Sequence, residues 1–126
     1  MSKNRERDLK ILKKILDYQK EIIYSLKKNK IQFDVDLTEK LEYMTRRGII
    51  QTVGDIFELT KTLTEETSKD LELNQTIIKR FRDWSSHQYS SITDEVAFAI
   101  ISYITSKDVL KRMKDEIGII KEELNK

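Results

Sequence analysis

The chain of 126 residues contains no cysteine, no proline and only three glycines. Without cysteine it forms neither a disulfide nor a thiolate metal site, and a single histidine makes a dedicated zinc or iron site unexpected. Turn-rich chains depend on proline and glycine, so their scarcity favours long helices. No apolar run approaches the roughly 20 residues of a membrane span, and the charged N-terminus is unlike a signal peptide. We therefore expect a cytoplasmic protein.

Charge is distributed unevenly along the chain, although the formal net charge is only +2. Residues 1–30 contain ten basic and four acidic side chains, whereas residues 31–75 contain five basic and ten acidic ones. A basic first helix can attract nucleic acid, but the acidic middle argues against general coating of RNA or DNA. A solvated helix face is the plainer interpretation of the same lysines.

Apolar residues recur at spacings of three and four, the period of an amphipathic helix. The first pattern predicts a helix over residues 5–28, and a second helix over 37–64 follows a capping-box pattern of Asp36 and Glu39. The polar, acidic residues 65–73 are predicted to form a loop. The predicted buried faces of these two helices contain Leu9, Leu12, Leu16, Gln19, Ile23 and Leu26, and then Ile49, Val53, Ile56, Thr60 and Leu63.

The second half of the chain continues the helical pattern. Asn74 is predicted to cap a third helix that ends near Ser90, and Thr93 a fourth, which Ser106 restarts or kinks. Short connections make sequential helices antiparallel. We therefore expect one all-α domain over residues 1–126, an up-and-down bundle of four to five antiparallel helices. The last predicted stripe contains Leu110, Met113, Ile117, Ile120 and Leu124.

The segment from Arg80 to Tyr89 differs from the ordinary helix surface, because it contains the only histidine and the only tryptophan of the chain. Histidine moves protons near neutral pH, and arginine clamps a phosphate through two parallel hydrogen bonds. Together they suit cleavage of a phosphodiester whose negative charge grows in the transition state. RNA supplies its own nucleophile, the 2′-hydroxyl, so this chemistry requires no metal.

Helical geometry constrains how these residues act. Arg82 and His87 lie about 140° apart around an ideal helix, whereas Asp83 lies one turn before His87 and can orient its imidazole. Acid–base cleavage needs a proton acceptor and a proton donor, and one chain offers a single histidine. We therefore infer a composite site across a two-fold dimer that pairs the motif helices. The alternatives are a capping or surface role for His87 and core packing for Trp84.

The sequence R-D-W-S-S-H-Q-Y from Arg82 to Tyr89 resembles the R-x-x-x-x-H-x-Y signature of the HepT-like proteins, a branch of the HEPN superfamily. Asp83 departs from the commoner asparagine, and two serines precede the histidine where larger apolar residues are frequent. The resemblance extends to three further segments: the charged first helix at Arg7–Leu12, the second helix at Arg46–Phe57, and the helix start at Ile92–Glu95.

This resemblance implies a helical bundle that dimerises through the motif helix and acts as a metal-independent ribonuclease toxin without a cofactor. The implied partner is a minimal nucleotidyltransferase antitoxin that transfers AMP onto the motif tyrosine. By the same resemblance, Arg82 stabilises the phosphate, His87 is the acid–base group and Asp83 supports them. Tyr89 lines the RNA site and accepts AMP, and Arg80 is a further candidate for a phosphate contact.

Two other functions are compatible with the same residues. The chain can be a non-catalytic HEPN module that binds and regulates a nucleotidyltransferase, or that binds a nucleotide. It can also be a structural, dimerising bundle without a ligand. Cleavage of RNA in the presence of EDTA, compared with that by His87→Ala, separates the first of these from the ribonuclease.

Overall fold

Helices make up most of the chain in the structure, a computed structural model. The structure describes the backbone of residues 3–28, 43–87 and 94–126, and the side chains of residues 4–28, 47–83 and 99–126. No strand occurs in these ranges, so the predicted all-α class is confirmed. The helices are α1 (Lys3–Lys28), α2 (Tyr43–Lys61), α3 (Glu65–Leu71), α4 (Gln75–His87), α5 (Asp94–Ile104) and α6 (Lys107–Leu124).

Helix α1 forms because apolar residues keep the helical period over its whole length, without an interrupting proline or glycine. Two basic residues in its last turn complement the partial negative charge of the helix end. The centre of the predicted face is rotated, because Leu9, Leu16 and Ile23 are half-buried rather than buried. The buried face consists of Leu12, Ile15, Gln19, Ile22 and Leu26.

Helix α6 runs antiparallel to α1. Arg5, near the start of α1, donates a hydrogen bond to Glu123 near the end of α6. Farther along α1, the Gln19 amide donates to the carbonyl of Ile104, which lies just before α6 begins. The two contacts occur in opposite chain order, as antiparallel packing requires.

Helix α2 also runs antiparallel to α1. The carboxylate of Asp8, in the first third of α1, accepts a hydrogen bond from the backbone of Thr64, just beyond the end of α2. Ile22, near the other end of α1, lines a groove together with Ile49 from the first half of α2. These helices therefore confirm the expected antiparallel bundle.

The segment predicted as a loop over residues 65–73 contains the short helix α3, so that prediction was wrong. Thr64 is its N-cap, and the Thr64 hydroxyl accepts a hydrogen bond from the backbone N–H of Thr67 at 3.4 Å. Thr67 and Leu71, one turn apart, are buried, which gives this polar segment an inner face. Glu72 ends the helix in a left-handed conformation with φ 49°.

The predicted cap at Asn74 and the predicted restart at Ser106 are confirmed, and the remaining predictions of helix starts and ends lie outside the described residues. The Asn74 side chain caps α4, and the Ser106 hydroxyl accepts from the N–H of Val109 at 3.2 Å to restart the chain as α6. The predicted capping box in the segment before α2, the cap at Thr93 and the helix end near Ser90 are outside the described ranges.

The predicted inner faces of α2 and α6 are correct in their central positions. Thr60 on α2, and Leu110 and Leu124 on α6, are half-buried rather than buried. None of the helices in the described ranges has the length and apolar composition needed to cross a membrane. The buried residues of the two predicted faces are Ile49, Val53, Ile56 and Leu63, and Met113, Ile117 and Ile120.

Candidate functional site

The candidate site is built on α4. This single helix contains Arg80, Arg82 and Asp83 and ends at His87. At 1.5 Å per residue, Arg82 and His87 are about 7.5 Å apart along its axis. Tyr89 lies outside the described residues, as do the side chains of Trp84 and His87. The structure therefore gives the spacing of the motif backbone and the positions of the two arginines and the aspartate.

An aromatic contact fixes the rotation of α4 against α2. Ile78 and Phe81 are buried, and the Phe81 ring packs edge-on against Phe57 with 5.1 Å between the ring centroids. Gly54 permits this close approach, because a Cβ there would lie 3.3 Å from Cζ of Phe81. Since Phe81 is anchored, the next residue, Arg82, is held at the edge of the helix contact, where it is exposed.

The start of α4 is fixed by its cap. Asn74 Oδ1 accepts hydrogen bonds from the backbone N–H groups of Thr76 at 3.0 Å and Ile77 at 3.2 Å. The backbone N–H of Asn74 donates to the Tyr103 hydroxyl of α5 at 2.6 Å. Burial raises the pKa of Tyr103, so this hydroxyl remains protonated at neutral pH. The motif helix is thus tied to both α2 and α5.

A groove between α2 and α4 leads to Arg82. We call it the α2–α4 groove; its volume is about 150 Å³, and Phe57 and Phe81 form part of its wall. A smaller groove of about 80 Å³ continues toward the start of α4, and both Lys61 and Arg82 line the two grooves. The polar residues of the α2–α4 groove are Gln51, Asp55, Glu58, Lys61 and Arg82.

The charged residues that line the α2–α4 groove are of both signs. The Lys61 ammonium lies 2.8 Å from Glu58 Oε1 on the same helix, and both side chains are largely exposed. Arg82 and Asp83 are also exposed, and each has an interaction partner within the chain. A phosphate entering the groove would therefore meet two cations and the carboxylates of Asp55 and Glu58, and both cations would have to leave their present partners.

Sequence reasoning did not identify Lys61. It precedes Arg82 by 21 positions, and the two residues line the same grooves only because α4 packs antiparallel to α2. Gln75 and Ile78, at the start of α4, line the smaller groove with Thr60 and Lys61 at the end of α2. No local pattern in the sequence specifies this pairing.

A second polar cluster lies where the start of α1 meets α3 and α6. Arg5 is 3% exposed, and its Nη1 donates to Thr67 at 2.6 Å and to Glu116 at 3.3 Å. Asp8 accepts from the hydroxyls of Thr64 and Thr67, both at 2.6 Å. Because these buried charges are hydrogen-bonded to one another, the cluster fits a structural role that joins α1, α3 and α6.

Burial raises the pKa of Glu116 in this cluster to about 7, with a further contribution from the neighbouring Asp70 carboxylate, while Arg5 opposes the rise. The cluster still contains no set of metal ligands, since no group of three or more histidine, cysteine or acidic side chains among the described residues is arranged to hold a metal ion. No family model, curated protein or solved structure matches the chain.

Proposed function

We propose that the chain is a HepT-like endoribonuclease, the toxin of a toxin–antitoxin pair, which cleaves RNA without a metal at a site shared by two copies. The observation that supports this proposal is the placement of Arg82, exposed beside a groove, on the same continuous helix that ends at His87. The R-x-x-x-x-H part of the motif thus lies on one helix, and a positioned acid–base group needs such a rigid element.

In the proposed reaction, the 2′-oxygen of a ribose attacks the adjacent phosphorus, and the 5′-oxygen of the next nucleotide leaves. His87 of one copy takes the proton of the 2′-hydroxyl, and protonated His87 of the second copy gives a proton to the leaving oxygen. The products are a 2′,3′-cyclic phosphate and a 5′-hydroxyl, and no electrons are transferred.

Arg82 has a separate role in this reaction. Its guanidinium donates hydrogen bonds to the non-bridging phosphate oxygens, on which negative charge increases in the transition state. Lysine lacks the planar pair of donors, so Arg82→Lys is expected to restore only part of the activity lost in Arg82→Ala. Asp83, one turn before His87, would orient the imidazole through its second nitrogen.

The test uses the purified full chain with a broad panel of RNAs in EDTA. His87→Ala and Arg82→Ala are each expected to lower the cleavage rate by about 100-fold or more. Lys111→Ala, an exposed substitution on α6, is the matched control and should cut at the wild-type rate. Cleavage that persists unchanged in His87→Ala would overturn the proposal. Binding of RNA or a nucleotide without any cleavage would favour the non-catalytic HEPN module instead.

Control by a minimal nucleotidyltransferase is the second part of the proposal. The phenolic oxygen of Tyr89 attacks the α-phosphorus of ATP, its proton passes to solvent, and pyrophosphate leaves. The attached AMP adds bulk and negative charge beside the RNA phosphate site and so blocks it.

Mass spectrometry after incubation with the antitoxin and ATP tests this step. AMP is expected on Tyr89, and Tyr89→Phe should remain unmodified. Tyr24→Phe removes an exposed tyrosine of α1 and is the control, which should still be modified. Modification of the chain elsewhere, with Tyr89 untouched, would contradict the proposed inhibition.

A further inference from the structure

Helix α1 has a strongly basic outer surface. Among its described side chains, seven exposed ones are cationic and three are anionic. Its apolar side is buried in the bundle, so this helix is not available to lie in a membrane interface. The exposed charged residues of α1 are Arg7, Lys10, Lys13, Lys14, Lys20, Lys27 and Lys28, and Glu6, Asp17 and Glu21.

An exposed aromatic ring lies within this basic surface. Tyr24 is 67% exposed, the most exposed large hydrophobic side chain of the described residues. Lys20 and Lys28 are one turn away on either side, and Lys13 and Lys27 also project within about 60° of Tyr24 around the helix. We call Tyr24 and these four lysines the Tyr24 face. The exposed carboxylates of Asp17 and Glu21 lie within the same 60°, so between residues 13 and 28 this sector contains four cations and two anions.

The lysines of the Tyr24 face are free to bind an anion. Among the described residues, none of Lys13, Lys20, Lys27 and Lys28 forms an ion pair or a hydrogen bond. By contrast, Lys61 and Lys69 pair with neighbouring glutamates. An aromatic ring flanked by free cations is the arrangement with which proteins bind single-stranded nucleic acid, since bases stack on the ring and phosphates contact the cations.

The Tyr24 face lies at the same end of the bundle as the candidate site. The last third of α1 packs beside the first half of α2, where Ser25 and Gly48 line one groove. Because α4 is antiparallel to α2, its C-terminal end at His87 is also beside the first half of α2. The last third of α1 and the C-terminal half of α4 are therefore both next to α2.

We propose that the Tyr24 face is a binding site for single-stranded RNA, which stacks a base on Tyr24 and holds the flanking phosphates on the lysines of α1. The proposal rests on the proposed ribonuclease function, for which it supplies a substrate-binding surface. An acidic protein is the competing occupant. It would use the same charges but has no need of an exposed ring with free lysines on both sides.

Binding of a short, fluorescently labelled RNA to the full chain tests the proposal, with His87→Ala as background so that no cleavage occurs. Tyr24→Ala is expected to weaken binding by about fivefold or more, whereas Tyr24→Phe keeps the stacking surface and should bind normally. Inorganic polyphosphate, which has no bases, should bind Tyr24→Ala as well as it binds the parent.

The contribution of the lysines is measured separately, through the salt dependence of binding. The double variant Lys20→Ala/Lys27→Ala should bind RNA and polyphosphate more weakly, and the slope of log affinity against log salt should become shallower by about 1.4. Lys111→Ala/Lys114→Ala removes the same charge from exposed positions of α6 and is the control. All variants replace exposed side chains, and unchanged thermal unfolding would confirm that they fold.

Several outcomes would overturn the inference: RNA binding unaltered in Tyr24→Ala, an equal loss in the α6 control, or a Tyr24 face that binds polyglutamate but not RNA. Failure of the ribonuclease proposal has a different appearance. A wild-type chain that binds RNA through the Tyr24 face but cuts none would contradict the ribonuclease function and support the Tyr24 face as a binding site. Cleavage that is normal in every α1 variant would support the ribonuclease function and contradict a role of the Tyr24 face in substrate binding.

Discussion

Arg5 and Glu123, 118 positions apart in sequence, form a two-point ion pair that joins the start of α1 to the end of α6. Nε of Arg5 donates to Oε2 of Glu123 and Nη2 donates to Oε1, each at 3.0 Å. The same guanidinium also reaches Glu116 and Thr67 in the interior. One buried arginine therefore links α6 to α1 twice and supports α3.

Arg5→Met is expected to destabilise the protein strongly. It removes the cation but leaves Glu116 buried and Glu123 without its partner, and breaking one side of a buried ion pair costs about 3 kcal/mol or more. Urea unfolding measures the loss. Lys10→Met, at an exposed position of the same helix, should change the free energy of unfolding by less than about 0.5 kcal/mol. Equal stability of both variants would contradict a structural role for Arg5.

The raised pKa of Glu116 predicts that part of the stability depends on pH. Its pKa in the fold is about 7, against an ordinary value of 4.5, so the folded protein binds a proton that the unfolded chain has already released. This contribution is fully present below about pH 4.5, is lost as the pH rises toward 7, and is constant above. The expected loss is roughly 3 kcal/mol.

Glu116→Gln isolates this effect, because all other titrating groups remain in the variant. The difference in unfolding free energy between wild type and Glu116→Gln should change between about pH 4.5 and pH 7 in favour of the variant. Asp70→Asn should reduce the dependence, since the Asp70 carboxylate contributes to the raised pKa of Glu116. A difference that is independent of pH would refute the assignment.

Helical periodicity predicts many of the apolar residues of the core, but it does not predict that charged residues are buried there. The spacing of α1 predicts Gln19 on the buried face, and its amide is buried against the carbonyl of Ile104. The same spacing extends backward from Leu12 to Asp8 and Arg5, yet charged residues are usually assigned to the surface. Their burial depends on α3 and α6, which come from distant parts of the sequence.

In the candidate site, too, local sequence pattern predicts only some of the features. The placement of Arg82 and Asp83 on one helix followed from local pattern and from the cap at Asn74, which α4 confirms. The grooves beside Arg82, including Lys61, depend on how α2 packs against α4, and sequence spacing contains no information about that contact. The pairing of two motif helices across a dimer remains a prediction for the same reason.

Asn74→Ala is expected to lower stability by about 1 kcal/mol, because two backbone N–H groups at the start of α4 lose their acceptor. Asn74→Asp keeps an oxygen in the same position, adds a favourable negative charge at the helix start, and should be at least as stable as the wild type. Thermal unfolding of the three proteins provides the comparison. Equal losses in both variants would mean that the side-chain cap is unimportant.

Gly48 and Gly54, both inside α2, form a matched pair for testing how closely α4 must approach. A Cβ at position 48 meets no atom of the described residues within 4 Å, so Gly48→Ala should gain up to about 1 kcal/mol from helix propensity. A Cβ at position 54 would lie 3.3 and 3.4 Å from two atoms of the Phe81 ring, which is itself packed on Phe57. Gly54→Ala should therefore gain less than Gly48→Ala.

A side chain larger than alanine at position 54 should clash with the Phe81 ring. Gly54→Val is expected to destabilise the protein by about 1–3 kcal/mol through overpacking, because Phe81 cannot move without shifting α4. Since Arg82 follows Phe81, RNA cleavage should fall more in Gly54→Val than the fraction of folded protein does, while Gly48→Ala should cut normally. Urea unfolding and cleavage measured on the same samples separate the two effects. Equal gains in stability from alanine at both glycines would show that α4 does not depend on this close approach.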